Sequence, residues 1–248
     1  MMSKPTEARS GPANHRDRII VALDLDSAAE AREIARELGT AVGAFKIGLQ
    51  LFASAGPQLV REFSSAGIKI FLDLKFHDIP NTVAKASVEA ARLGVWMFNV
   101  HVAGGGEMMR QAVAEVGEVC DREKMNRPLI IGVTVLTSAD VYTINEVGVD
   151  GTVEEQVIRL ARLADNCGLD GVVASPIEVE AIRNAIARPA FLTVTPGIRP
   201  VFATDDDQKR VTTFGQALAN GSDYVVIGRP ITQAKDRLAA VEEILTEV

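Results

Sequence analysis

Between Lys69 and Thr82 the sequence reads KIFLDLKFHDIPNT, an apolar β-type run interrupted by Asp73, Lys75 and Asp78. In a strand, residues two apart point to the same face, so Asp73 and Lys75 are expected side by side. A buried parallel strand otherwise reads as nearly unbroken Val, Ile and Leu. Charged side chains are seldom buried without a partner. An acid beside a base here fits either a structural ion pair at a strand end or an acid–base site. Two other stretches carry a second kind of chemistry, TPGIRP (195–200) and IGRP (227–230). Glycine lets backbone N–H groups approach an anion closely, and arginine offers phosphate oxygens a planar fork of donors. The plain alternative is two Gly/Pro turns that happen to carry arginine.

These residues need elements to position them. Strand-like runs fall at 19–25, 44–48, 68–75, 95–102, 129–136, 171–175, 191–197 and 224–228. Helical periodicity falls between them, at about 27–38, 50–66, 80–93, 105–120, 152–167, 177–187, 209–220 and 232–246. Ser27, Thr152 and Thr232 suit N-caps, and Gly39, Gly67, Gly94, Gly168 and Gly221 suit C-caps. Eight β–α units without a linker or composition break predict a single-domain (β/α)8 TIM barrel, whose usual length is about 250 residues. A doubly wound sheet is the alternative, but no G-x-G-x-x-G follows the first strand, and the glycines at 104–106 have the wrong spacing.

Barrel chemistry sits at the C-terminal ends of the strands. In chain order those ends are Asp24, Lys46, Asp73 with Lys75, Asn99 with His101, Thr137, Ser175, Arg199, and Gly228 with Arg229. Neighbouring parallel strands lie about 4.8 Å apart, so Asp24, Lys46, Asp73 and Lys75 are expected to form one alternating network that keeps every member ionised. The arginine loops after strands seven and eight stand where this fold often binds phosphate. Two long loops, 137–151 and 199–208, are candidate lids. The run Asp205–Asp207 reads as a solvated segment rather than a metal site, and His77 and His101 as hydrogen-bonded structural histidines. Trp96, Met97 and Phe98 read as core.

Composition sets the bounds. Of the 248 residues, 47% are hydrophobic and 24% charged, as in a soluble protein with a sizeable core. A net charge of −7 argues against nucleic acid as partner. Cys120 and Cys167 make neither a disulfide framework nor a metal-ligand spacing, which points to a reducing, cytoplasmic compartment. The apolar runs are too short for a membrane span. Residues 1–17 lack the apolar stretch of a secretory signal and read as a polar, mobile extension, leaving 18–248 as the catalytic domain.

The motifs VALDLD, FKIGLQLF, FLDLKFHDIPNTV, VTVLTS, TPGIRP, DQKR and IGRPI together resemble the bacterial orotidine 5′-phosphate decarboxylases, over nearly the whole chain from Arg18 on. The resemblance implies cofactor-free, metal-free decarboxylation of orotidine 5′-phosphate to uridine 5′-phosphate in pyrimidine biosynthesis. By it, Asp24 would bind the ribose, and Lys46 would bridge a ribose hydroxyl and the charge network. Asp73 would face the substrate carboxylate, Lys75 would deliver a proton to C6, and Asp78 would reach in from the partner of a homodimer. Thr82 would be among the substrate contacts, Thr137 would touch the pyrimidine, and Arg199, Gln208, Gly228 and Arg229 would hold the phosphate. Two rivals stay open: a metal-dependent sugar-phosphate decarboxylase or aldolase of the same barrel superfamily, and a non-catalytic barrel that binds a phosphate ligand.

Overall fold

The computed structural model describes residues 14–203 and 212–248. Eight parallel strands close into a barrel in sequence order: β1 (Ile19–Ala22), β2 (Ala44–Gly48), β3 (Ile70–Phe76), β4 (Met97–His101), β5 (Leu129–Val133), β6 (Gly171–Val173), β7 (Leu192–Thr195) and β8 (Tyr224–Ile227), with β8 pairing back onto β1. The helices are α1 (Ala28–Leu38), α2 (Leu49–Ser65), α3 (Pro80–Arg92), α4 (Gly106–Glu123), α5 (Val141–Glu146), α6 (Val153–Asn166), α7 (Val179–Ala185), α8 (Phe214–Ala219), α9 (Arg229–Thr232) and α10 (Arg237–Leu245). The expected (β/α)8 barrel is thus the fold. Among the described residues no helix is long and apolar enough to cross a membrane.

Strand alternation divides the apolar residues into two cores. Ile20, Ala22, Ala44, Phe71, Met97, Ile131, Val194 and Val226 pack together inside the barrel. Ile19, Val21, Phe45, Ile47, Ile70, Leu72 and Phe98 pack outward with the helices. Because both faces are buried, the strands read as continuous apolar runs rather than alternating ones. The inward set aims the next residue of the same parity at the barrel mouth: Asp24 after Ala22, Lys46 after Ala44, Asp73 after Phe71 and Gly228 after Val226.

Several boundaries differ from the periodicity. The 129–136 run pairs only over Leu129–Val133, after which the chain turns into the mouth. Helix α2 is kinked, not continuous: Gly56 takes φ 68°, ahead of Pro57, which has no N–H to continue the helix. The 137–151 loop holds a helix of its own, α5, capped by the Asp140 carboxylate on the Thr143 N–H. Thr232 is not an N-cap. It ends α9, and the final helix starts five residues later on an Asp236 cap. Ser27 and Thr152 do cap their helices, Thr152 in a capping box with Glu155. Trp96 lies just before β4 and is only part-buried, edge-on to Tyr224. Of the N-terminal segment, Arg16–Arg18 forms a 3-10 turn and Arg16 pairs with Glu242; residues 1–13 lie outside the described residues.

Candidate active site

A cavity of about 470 Å³ opens at the C-terminal mouth of the barrel, with Asp24, Lys46, Asp73 and Lys75 on one side and Pro196–Arg199, Gly228 and Arg229 in the same lining. The four charges form one chain. The Lys46 ammonium donates to Asp24 Oδ1 at 2.8 Å and lies 3.3 Å from Asp73 Oδ2, while Lys75 Nζ donates to Asp73 Oδ1 at 2.6 Å. Asn99 adds a fifth member, its Nδ2 donating to Asp73 Oδ1 at 2.7 Å. The network spans a gradient of exposure: the Lys46 side chain is 10% exposed and Asp73 13%, whereas Asp24 is 62% exposed.

Electrostatics follow from that geometry. Burial pushes the Asp73 carboxyl up, but the charges of Lys46 and Lys75, aided by hydrogen bonds from Lys75 and Asn99, hold it below the usual carboxylate range. Asp73 is therefore ionised throughout the neutral range. Burial also pushes the His101 imidazole down, helped by His77 and Lys75 and opposed by Asp73. The His77 and His101 rings stand 5.5 Å apart and tilted.

The Asp73–Lys75 pair forms as expected, but not through regular alternation. Lys75 takes φ 52°, in the left-handed region, where a residue with a Cβ pays about 1–2 kcal/mol. The strand register shows why. Leu72 pairs with Phe98 and Phe76 with Val100, so Asp73, Leu74 and Lys75 all stand against Asn99 alone. This three-against-one bulge bends the end of β3 into the mouth; bulges recur beside functional sites because they re-aim a side chain.

Other expected residues divide clearly. Thr137, Arg199, Gly228 and Arg229 line the cavity. The Arg199 N–H donates to the Thr212 carbonyl at 3.1 Å, tying its loop to the segment before α8. Gly197 takes φ 81°, a conformation that suits glycine in so tight a loop. Asp78 and Thr82 do not line this cavity: both are exposed at the start of α3, and Asp78 Oδ1 accepts the Ile79 N–H at 2.6 Å. Ser175 is also absent from the lining; its residue instead begins a 3-10 turn closed by Glu178. Gln208 and the run Asp205–Asp207 lie outside the described residues.

Two residues had a visible position but no assigned task. Asn99 is 1% exposed in the run FNV, and a buried polar residue in an apolar strand is the signal that marks it. Gly48 is the other: a Cβ there would lie 3.1 Å from Lys46 Nζ and 3.3 Å from Asp24 Oδ1. Its missing side chain is the room the ion pair occupies. The apolar walls of the cavity, Val133, Val135, Leu136 and Ile198, were unreadable without the closed barrel. Among the described residues no group of three His, Cys, Asp or Glu side chains could hold a metal ion.

Residues 17–244 match the model of the family described as orotidine 5′-phosphate decarboxylase / HUMPS. A curated orotidine 5′-phosphate decarboxylase of Syntrophotalea carbinolica is 53% identical, over 94% of this chain and 95% of that protein. One from Geobacter sulfurreducens is 51% identical, over 94% of this chain and 96% of its own. Among solved structures, the orotidine 5′-phosphate decarboxylase of Lactobacillus acidophilus superposes with a TM-score of 0.81 at 39% identity, covering 92% of this chain and 97% of that one. An uncharacterized conserved protein from Geobacillus kaustophilus gives 0.79 at 36% identity, covering 92% and 99%.

Proposed function

The chain belongs to the orotidine 5′-phosphate decarboxylase / HUMPS family, and from that membership we propose that it converts orotidine 5′-phosphate to uridine 5′-phosphate and CO2 in pyrimidine biosynthesis. The observation that carries this reading is the Asp24–Lys46–Asp73–Lys75 chain in one cavity with Arg199 and Arg229.

The chemistry asked of the site is severe. When the bond from C6 to the carboxyl carbon breaks, the electron pair stays on C6 in an orbital with no adjacent sink, and CO2 departs. A fixed ammonium beside C6 stabilises that pair as it forms, in a site walled against water, and then transfers a proton to it. Lys75 fills this role: its ammonium is held by a single short bond to Asp73 and is freer than the deeply buried Lys46. Lysine 75 ends the step neutral and regains its proton from solvent. Asp73, kept ionised by both lysines, holds Lys75 in place and faces the substrate carboxylate. Asp24 and Lys46 bind the ribose hydroxyls, and Thr137 contacts the pyrimidine. Arg199, Gly228, Arg229 and Gln208 take the phosphate, whose binding energy is available to organise the reacting end. Asp78 and Thr82, exposed beside a 66% exposed Ile79, act across a two-fold interface in the partner's cavity.

No metal enters this scheme. Asp73 Oδ1 already accepts from Lys75 and Asn99, and Oδ2 lies against Lys46, so a divalent cation approaching Asp73 would meet two ammonium groups. The test is the fall in absorbance as orotidine 5′-phosphate is consumed, measured before and after dialysis against excess chelator. Unchanged turnover is expected. Activity lost on chelation and restored by magnesium would move the assignment to a metal-dependent sugar-phosphate enzyme.

A further inference from the structure

We propose that Asn99 is the positioning residue that fixes Lys75 and Asp73 in their working geometry; this rests on the role given to Lys75 above. Three residues of β3 stand against Asn99 alone in β4, so the backbone ladder cannot satisfy that stretch. The Asn99 side chain replaces the missing ladder partner. Its Oδ1 accepts the backbone N–H of Lys75 at 2.8 Å, and its Nδ2 donates to Asp73 Oδ1 at 2.7 Å.

One amide thus holds both the left-handed backbone of Lys75, at φ 52°, and the carboxylate that pairs with the Lys75 ammonium. No other residue type of this size does both. Serine is too short to reach two groups, leucine offers no polar atom, and aspartate offers no donor while ionised. Burial to 1% exposure removes water as a substitute partner. Asn99 bonds to Asp73 and Lys75 of β3; Lys46 of β2 lies against the other oxygen of Asp73. His101, two residues along β4, feels the charges of His77, Lys75 and Asp73, and β5 presents Ile131 opposite Asn99.

Two variants test the assignment, with Lys75→Ala run in parallel. Asn99→Ala removes both bonds, and Lys75 is expected to lose its aim, so kcat should fall about 100-fold while KM stays within about threefold. Asn99→Asp keeps the shape. As a carboxylate it repels Asp73, but with a proton shared between the two it again donates to Asp73 and accepts from Lys75. Its activity relative to wild type should therefore rise at least about tenfold between pH 8.5 and pH 5.5, a change of one decade in the protonated fraction or more. A merely structural asparagine would not produce that recovery. Folded Asn99→Ala with kcat within about threefold of wild type, or a flat activity ratio for Asn99→Asp, overturns the proposal, as does failure of both variants to fold. If Lys75→Ala is inactive while the Asn99 variants are normal, only the positioning role falls. Near-normal turnover by Lys75→Ala brings down both readings.

Discussion

Asp73 is the residue on which the candidate site turns, because among the described residues it is the only carboxylate paired with both lysines. Its pKa is held down in the folded protein, so the unfolded chain takes up a proton first as pH falls. The stabilisation it supplies is complete above the ordinary aspartate value of about 3.9 and is lost as pH drops through the lower folded value. Asp73→Asn leaves the Lys46 and Lys75 ammoniums facing each other without their anion. Such a half-broken, part-buried pair costs on the order of 3 kcal/mol. Denaturant melts at pH 7, 5, 4 and 3 should show a constant deficit for Asp73→Asn from pH 7 to about pH 5, narrowing below about pH 4 as the wild-type carboxylate protonates. A deficit that stays constant down to pH 3 would mean that folding does not lower the Asp73 pKa.

At the scale of elements, the spaces left by glycines at strand ends matter as much as the side chains. Gly48 closes β2, and the Cβ of Gly48→Ala would press on the far ends of Lys46 and Asp24 rather than on backbone. Those ends can shift by a few tenths of an ångström. Stability should change by less than about 1 kcal/mol, or about 2–4 °C in Tm for a chain of this size, while kcat/KM falls about tenfold because the ammonium moves. Gly171 in β6 is the contrast: a Cβ there would sit 2.2 Å from the Leu192 carbonyl oxygen of β7. Gly171→Ala should destabilise the barrel by several times as much, since two paired strands would have to separate. Equal Tm losses in the two variants would show that the space at Gly48 is structural. These elements also mark how far the sequence could be read. Parity along β1, β2 and β3 was legible, so the convergence of Asp24, Lys46 and Asp73 was too. The bulge at Lys75 was not, because it arises from a register between β3 and β4 that neither strand states alone. Nor was the start of α10, where Thr232 and Asp236 are both plausible caps and tertiary packing chose the second. Asp78 and Thr82 look outward in one chain, and no local pattern says what they meet.

At the scale of the whole molecule, the mouth of one barrel does not contain every residue proposed to serve the reaction. Lys75 lines the cavity, whereas Asp78, three residues on, is exposed outside it. Beside it the 66% exposed Ile79, with Leu49 at 61% on the same end of the barrel, gives an apolar rim suited to a second copy. In a two-fold dimer the same surface is used by both subunits, so each cavity would take Lys75 from one chain and Asp78 from the other. Homodimers of Lys75→Ala have two broken sites, and so do homodimers of Asp78→Ala. In a hybrid of the two, one site collects both defects and the other collects neither. Random re-association of an equal mixture makes about half the dimers hybrids, so roughly a quarter of all sites should be intact. The measurement is decarboxylase activity after the two inactive proteins are mixed, mildly dissociated and allowed to re-associate. Recovery to about a quarter of wild-type activity is the expected outcome. No recovery, with subunit exchange confirmed by mass-labelled chains, would return Asp78 to its own chain's surface and leave each barrel to work alone.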